Sequence, residues 1–147
     1  MANADRRAEA VWRGSLAHGS GEVTLVTSGA AGPLPVTWAS RTARSEGLTS
    51  PEELVAAAHA SCYCMALASI LTEAGTPPKE LAASATVTFA QAESGFKVAS
   101  SALTVKGNVP GTDTAAFRAA AEAAKDGCPI SGALRGNVEL SVVATLA

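Results

Sequence analysis

The chain carries three thiols, and two of them stand in settings where a sulfur can be put to chemical use. Cys62 lies in a long apolar stretch with His59 three residues before it, on the same face of a helix. Cys64 follows two residues later, about 200° around that helix, and so points nearly the other way. Cys128 sits between Gly127 and Pro129. With Pro129 as the first residue of a helix, Cys128 becomes its N-cap, where the dipole and free amides favour a thiolate. Such cysteines serve as small buried hydrophobes, metal ligands or redox groups. A zinc site needs four ligands of suitable geometry, and His59, Cys62 and Cys128 supply at most three, which disfavours metal. The charged candidates are Arg41, Arg44, Glu52 and Glu53. An arginine beside a cysteine favours the thiolate, by about 1.4 kcal/mol per unit of pKa. A glutamate can orient that arginine through a bidentate pair. Taken singly, the same four residues also fit a solvated loop and a routine helix cap.

These side chains need a scaffold, and 147 residues suffice for one domain, 1–147, with its own core. The composition is 48% hydrophobic but only 4% aromatic, and rich in alanine. Such a core is thin, and close helix packing or burial between subunits would strengthen it. A net charge of −2 argues against nucleic acid and against an anionic membrane surface. The apolar stretch from Val55 to Leu71 carries His59, two cysteines and serines, and reads as amphipathic rather than membrane-spanning. The N-terminus runs into charge instead of an apolar signal segment, so a cytoplasmic location is expected. An odd number of cysteines there does not read as a disulfide framework.

Residues 8–13, 22–27 and 36–40 read as three strands, the last ending near Arg41. Ser50-Pro51-Glu52-Glu53 is a capping box with proline in the first turn, and the helix it opens runs to Ala74. Strands follow over 84–90 and 96–108, joined by a turn at 93–95. A helix spans 113–126, a short helical turn opens at Cys128-Pro129, and a last strand covers 138–146. The expected class is α+β, with antiparallel sheets packed around a long central helix.

The stretch 50–62, Ser-Pro-Glu-Glu-Leu-Val-Ala-Ala-Ala-His-Ala-Ser-Cys, resembles the central helix of the OsmC/Ohr family of hydroperoxide reductases. The stretch 127–131, Gly-Cys-Pro-Ile-Ser, resembles that family's second cysteine motif. The wording around His59 and the Pro-Gly-Thr-Asp stretch at 110–113 are closer to the OsmC branch. The resemblance implies a thiol peroxidase with no haem, flavin or metal cofactor. It makes Cys62 the peroxidatic cysteine, Cys128 the resolving one, Arg41 the active-site arginine and Glu52 its partner. Arg44 is the rival to Arg41, and Cys64 has no role in the pattern.

The implied cycle runs through a Cys62 sulfenic acid and a Cys62–Cys128 disulfide, reduced in turn by an external dithiol such as a lipoylated protein. Leu67, Phe117 and Ile130 are expected near the site, favouring an organic hydroperoxide. Glu52 and Cys62 are separated by about 15 Å of helix axis, too far for contact. A loop arginine bridges part of that gap, or Glu52 serves another subunit. The second option matches the intertwined homodimers of the family. Two other functions compete: a non-catalytic ligand or interaction module on the same fold, and a thiol redox sensor or sulfur carrier using Cys62 and Cys64.

Overall fold

The computed structural model describes residues 3–147, and the chain divides into two compact units, one ending at Pro51 and the other beginning at Glu52. In the first, β1 (Glu9–Arg13), β2 (Ser20–Thr24) and β3 (Leu34–Val36) form an antiparallel sheet in that order. The expected third strand ends early. Trp38–Thr42 is a short helix, α1. The Thr37 hydroxyl accepts a hydrogen bond from the Ser40 amide, and the Ser40 hydroxyl accepts one from the Thr37 amide, each 3.0 Å long. This reciprocal capping box satisfies free donors of the helix start and overrides the β-propensity of Thr37 and Trp38. The Ser40 hydroxyl also donates to the Thr49 carbonyl at 2.9 Å, tying the following loop to α1.

The second unit contains all but the first residue of helix α2, Pro51–Glu73. Pro51 opens it and Glu52 and Glu53 fill its first turn, as the sequence predicts. Its buried positions are Glu52, His59, Tyr63, Leu67 and Leu71, a stripe at helical spacing. The expected amphipathicity is not found. Small apolar residues also cover the exposed side, where Met65 is 72% exposed. By length and composition α2 would suffice to cross a membrane, but its buried stripe belongs to a core of packed side chains.

Strands β4 (Glu80–Ala92) and β5 (Gly95–Asn108) form an antiparallel hairpin through the predicted turn. Helices α3 (Thr114–Gly127) and α4 (Pro129–Leu134) then lead to β6 (Glu139–Leu146). β6 pairs with β5 in parallel, which corrects the expectation of purely antiparallel sheets. The helical connection is the reason, since parallel neighbours need a crossover of a dozen or more residues. The α+β class stands.

Alternate residues of β5 and its extension, Ser101, Leu103, Val105 and Val109, face the core with Tyr63, Leu67 and Leu71 of α2 and Phe117, Ala121 and Ala124 of α3. The Tyr63 hydroxyl donates to the Ala121 carbonyl at 3.1 Å. Gly107 lies under the Phe117 ring so closely that a Cβ there would stand 2.5 Å from Phe117 Cζ. Alanines and this glycine let helix and sheet approach, so the core is thin, as the composition predicts.

Candidate active site

Cys62 comes from the middle of α2 and Cys128 from the junction of α3 and α4. Cys128 is both the C-cap of α3, its amide donating to the Ala124 carbonyl at 2.9 Å, and the N-cap of α4, with Pro129 next. The N-cap position expected from the sequence is thus occupied. Its side chain makes no capping hydrogen bond, so the sulfur remains available. The two sulfurs are 2.9 Å apart. A disulfide needs about 2.05 Å, so less than 1 Å of further approach would join them. Cys128 is 1% exposed, whereas Cys62 is half-buried.

At this separation the two sulfurs cannot both carry charge. Burial raises the pKa of Cys62, and its hydrogen bond with Cys128 raises it further. Burial also opposes ionisation of Cys128. The neighbouring Cys62 thiol and the polar groups of Ser131 and Ile130 at the start of α4 outweigh it and hold Cys128 below its ordinary value. The two thiols therefore titrate as a coupled pair across the 2.9 Å contact.

Sequence reasoning missed what lies behind Cys128. His59 is fully buried, with Nδ1 2.7 Å from the Ser101 hydroxyl of β5 and Nε2 2.8 Å from the Ser131 hydroxyl of α4. Both serines are also fully buried. Burial lowers the pKa of His59 and keeps the ring neutral. With both nitrogens engaged by serines, the ring has none left for a metal. Among the described residues no group of three or more His, Cys, Asp or Glu side chains is placed to hold one. Two signals were available: Ser131 stands three residues after Cys128, and Ser101 occupies a core-facing position in the alternation of β5.

Cys64 points away from the pair, as its helical angle requires, with its sulfur 3.9 Å from the Leu81 carbonyl. Burial raises its pKa as well, so it lacks the activation of a reactive thiol. Leu67 and Phe117, expected beside the site, are sealed in the core at 0% exposure and cannot meet a substrate. Ile130 is half-buried and supplies its amide to the sulfurs. Glu52 is buried in the first turn of α2, ten residues before Cys62.

Arg41 belongs to the first unit. It lies in the last turn of α1 with its guanidinium 6.0 Å from the centre of the Trp38 ring. A cavity of about 190 Å³ opens beside it, lined by Trp12, Leu16, Val36, Thr37, Trp38 and Pro51. Arg44 lies beyond the C-cap Ala43 and is exposed. A wider groove of about 580 Å³ crosses β4, β5 and β6, but its wall offers Lys106 and hydroxyls and no thiol.

The family of OsmC-like proteins matches residues 44–143 of this chain. Peroxiredoxin OsmC of Escherichia coli (strain K12) is 36% identical over 135 residues, covering 92% of this chain and 93% of that protein. An organic hydroperoxide resistance protein of Xanthomonas axonopodis pv. citri is 30% identical over 95 residues, 64% of this chain and 65% of its own length. Among solved structures, the organic hydroperoxide resistance protein OhrB of Bacillus subtilis superposes with a TM-score of 0.71. It is 27% identical and the match covers 95% of this chain and 98% of that one.

Proposed function

The chain belongs to the OsmC-like family of thiol-dependent peroxidases, and from that premise we propose that it reduces organic hydroperoxides to alcohols through Cys62 and Cys128. The 2.9 Å contact between their sulfurs carries this reading. Neither a ligand-binding module nor a sensor built on Cys62 and Cys64 has a use for a second, buried sulfur 2.9 Å from Cys62.

Cys62 takes the peroxide because it is the more accessible of the two. As peroxide approaches, the proton the coupled pair retains moves to Cys128 and leaves the thiolate on Cys62. That thiolate attacks the outer peroxide oxygen, the O–O bond breaks, and the alkoxide takes a solvent proton to become the alcohol. Cys62 is left as a sulfenic acid. Cys128 then gives up that proton as its sulfur attacks the Cys62 sulfur: the S–S bond forms, the S–O bond breaks, and the leaving hydroxide takes the proton to become water. An external dithiol, for which a lipoylated protein is the candidate, restores both thiols by exchange.

Arg41 is assigned to stabilise the Cys62 thiolate and the departing alkoxide, with Glu52 orienting it. The exposed apolar side of α2, together with Val11, Trp12 and Leu16, supports a homodimer, since a helix that is apolar all round needs cover. Gel filtration then gives twice the 14.6 kDa of one chain. The location is assigned to the cytoplasm, where a reducing pool can recycle the disulfide. The experiment for the activity is to add one equivalent of cumene hydroperoxide to the reduced protein, quench and map the cysteines by mass spectrometry. A Cys62–Cys128 disulfide with Cys64 free is expected; three unchanged thiols would remove the enzyme reading.

A further inference from the structure

We infer that His59 and Ser131 are positioning residues for the disulfide step: the Ser101–His59–Ser131 chain seats α4 against α2, and so holds the Cys128 sulfur where Cys62 can meet it. α4 is six residues long, too short to keep a helical form by itself. Tertiary contact must therefore fix it, and its one buried residue is Ser131. Ile130 and Leu134, its larger apolar side chains, are only half-buried. The anchor of α4 is thus polar. The Ser131 hydroxyl lies 2.8 Å from His59 Nε2, and His59 Nδ1 lies 2.7 Å from the Ser101 hydroxyl. A neutral imidazole has one donor and one acceptor nitrogen, and a hydroxyl can serve as either, so the chain closes in both tautomers. All three side chains are fully buried, so solvent cannot replace a lost partner. The bond from Arg135, just after α4, to the Asp126 carbonyl ties α4 to α3 and not to α2.

The chain meets both cysteine-bearing elements one turn from the sulfur. His59 precedes Cys62 by three residues on α2, and Ser131 follows Cys128 by three at the start of α4. Ser101 supplies the fixed end. It lies in the middle strand of its sheet, paired with Val87 of β4 and Leu140 of β6. His59 stands in the buried stripe of α2 that Tyr63, Leu67 and Leu71 continue, a place that a leucine would fill with no polar group to satisfy. Cohesion alone does not call for an imidazole there. A fixed distance does, because a hydrogen bond sets length and direction whereas apolar contact is non-directional. The sulfurs held in this way are 2.9 Å apart.

Giving these two cysteines one disulfide rests on the peroxidase reading above. In that step Cys128 loses its proton and its sulfur bonds the Cys62 sulfur. The S–O bond of the sulfenic acid breaks, and the hydroxide takes the proton to leave as water. Ordering the two sulfurs beforehand raises the effective concentration of one at the other. The same ordering favours the disulfide at equilibrium with an external thiol, because the reduced chain has less freedom to lose. A uniform loss of fold stability does not act in this way. It weakens the reduced and oxidised chains alike and leaves their ratio unchanged.

The first measurement is the equilibrium constant of the Cys62–Cys128 disulfide against reduced and oxidised glutathione, in a Cys64→Ser background. Ser131→Ala and His59→Asn should each lower it about tenfold, a rise of about 30 mV in potential. The double variant should fall no further, since both changes break one bridge. His59→Gln, whose amide reaches the Nε2 position, should stay within about threefold of the native constant. The second measurement adds excess peroxide. Ser131→Ala should form the sulfenic acid at Cys62 within about twofold of the native rate, and then lose about tenfold more of it to sulfinic acid before Cys128 resolves it. An unchanged glutathione constant in Ser131→Ala overturns the inference, and so does an equal slowing of both peroxide steps. Equal losses in His59→Asn and His59→Gln also overturn it. If His59→Asn does not fold, Ser131→Ala and His59→Gln decide the question. If the native chain forms the disulfide with glutathione but not with peroxide, the peroxidase reading fails, while the glutathione constant still decides whether the chain positions the sulfurs.

Discussion

The sulfurs of Cys62 and Cys128 stand 2.9 Å apart although 66 residues of chain separate them. One is set by the phase of a long helix, the other by a proline-started turn between two shorter ones. The inner sulfur is buried at the start of α4, and the outer one is the more accessible to solvent. This asymmetry gives the two thiols different work.

Replacing either cysteine should therefore fail in different ways. Cys62→Ser should abolish peroxide consumption, since the remaining thiols are buried or unactivated. Cys128→Ser should still consume one equivalent, stop before a second turnover, and accumulate sulfenic and then sulfinic acid at Cys62. Intact-mass spectrometry after stepwise additions of peroxide distinguishes the two. A Cys128→Ser variant that turns over normally with a dithiol would show that Cys128 is not the resolving thiol.

Arg41 and Arg44 differ in how firmly they are held. Arg41 lies within capped α1 and against Trp38, whereas Arg44 lies past the helix end in solvent. Arg41→Ala should lower kcat/KM for cumene hydroperoxide by about 10²-fold, the cost of losing one donor to a developing oxyanion. Arg44→Ala should stay within about twofold, the expectation for a surface change of under 0.5 kcal/mol. Steady-state kinetics on both variants checks the pair, and the reverse ranking would reassign the arginine.

Buried His59 should make the fold sensitive to acid. Its folded pKa lies below the ordinary value of 6.5 that the unfolded chain regains. As pH falls through 6.5 the unfolded state takes up a proton that the native state does not, so stability drops. The contribution is complete above that pH and declines until the folded ring itself titrates. Urea unfolding between neutral and mildly acidic pH should show this slope in the native chain and its loss in His59→Gln. An equal slope in both would place the acid sensitivity elsewhere.

Gly107 is held without a side chain by the Phe117 ring. A methyl group there would meet Phe117 Cζ at 2.5 Å and Leu81 Cδ2 at 3.2 Å. Gly107→Ala should cost about 1–3 kcal/mol through overpacking of a dense core. Phe117→Leu in the same chain should recover part of it, giving a non-additive pair. Denaturant midpoints of the two single variants and the double variant test this; simple additivity would mean that the helix shifts to accommodate the methyl group.

Much of this protein is legible along the chain. The Ser50-Pro51-Glu52-Glu53 start of α2, the hairpin turn between β4 and β5, and the Gly127-Cys128-Pro129 break are local, because capping and turn chemistry act over a few residues. They suffice to set Cys62 on a helix and Cys128 at a helix start. The 36–40 stretch misled because β-branched and aromatic residues there favour a strand, and only the paired bonds of Thr37 and Ser40 turn it into α1. The parallel seat of β6 was equally hidden, since it follows from how α3 and α4 pack back over the sheet. What tertiary structure alone decided is which groups meet. Ser101, His59 and Ser131 come from a strand and two helices, and no periodicity in the sequence marks them as neighbours. A buried imidazole needs two partners for its nitrogens, and packing, which brings distant residues together in a space closed to water, chose which hydroxyls those would be.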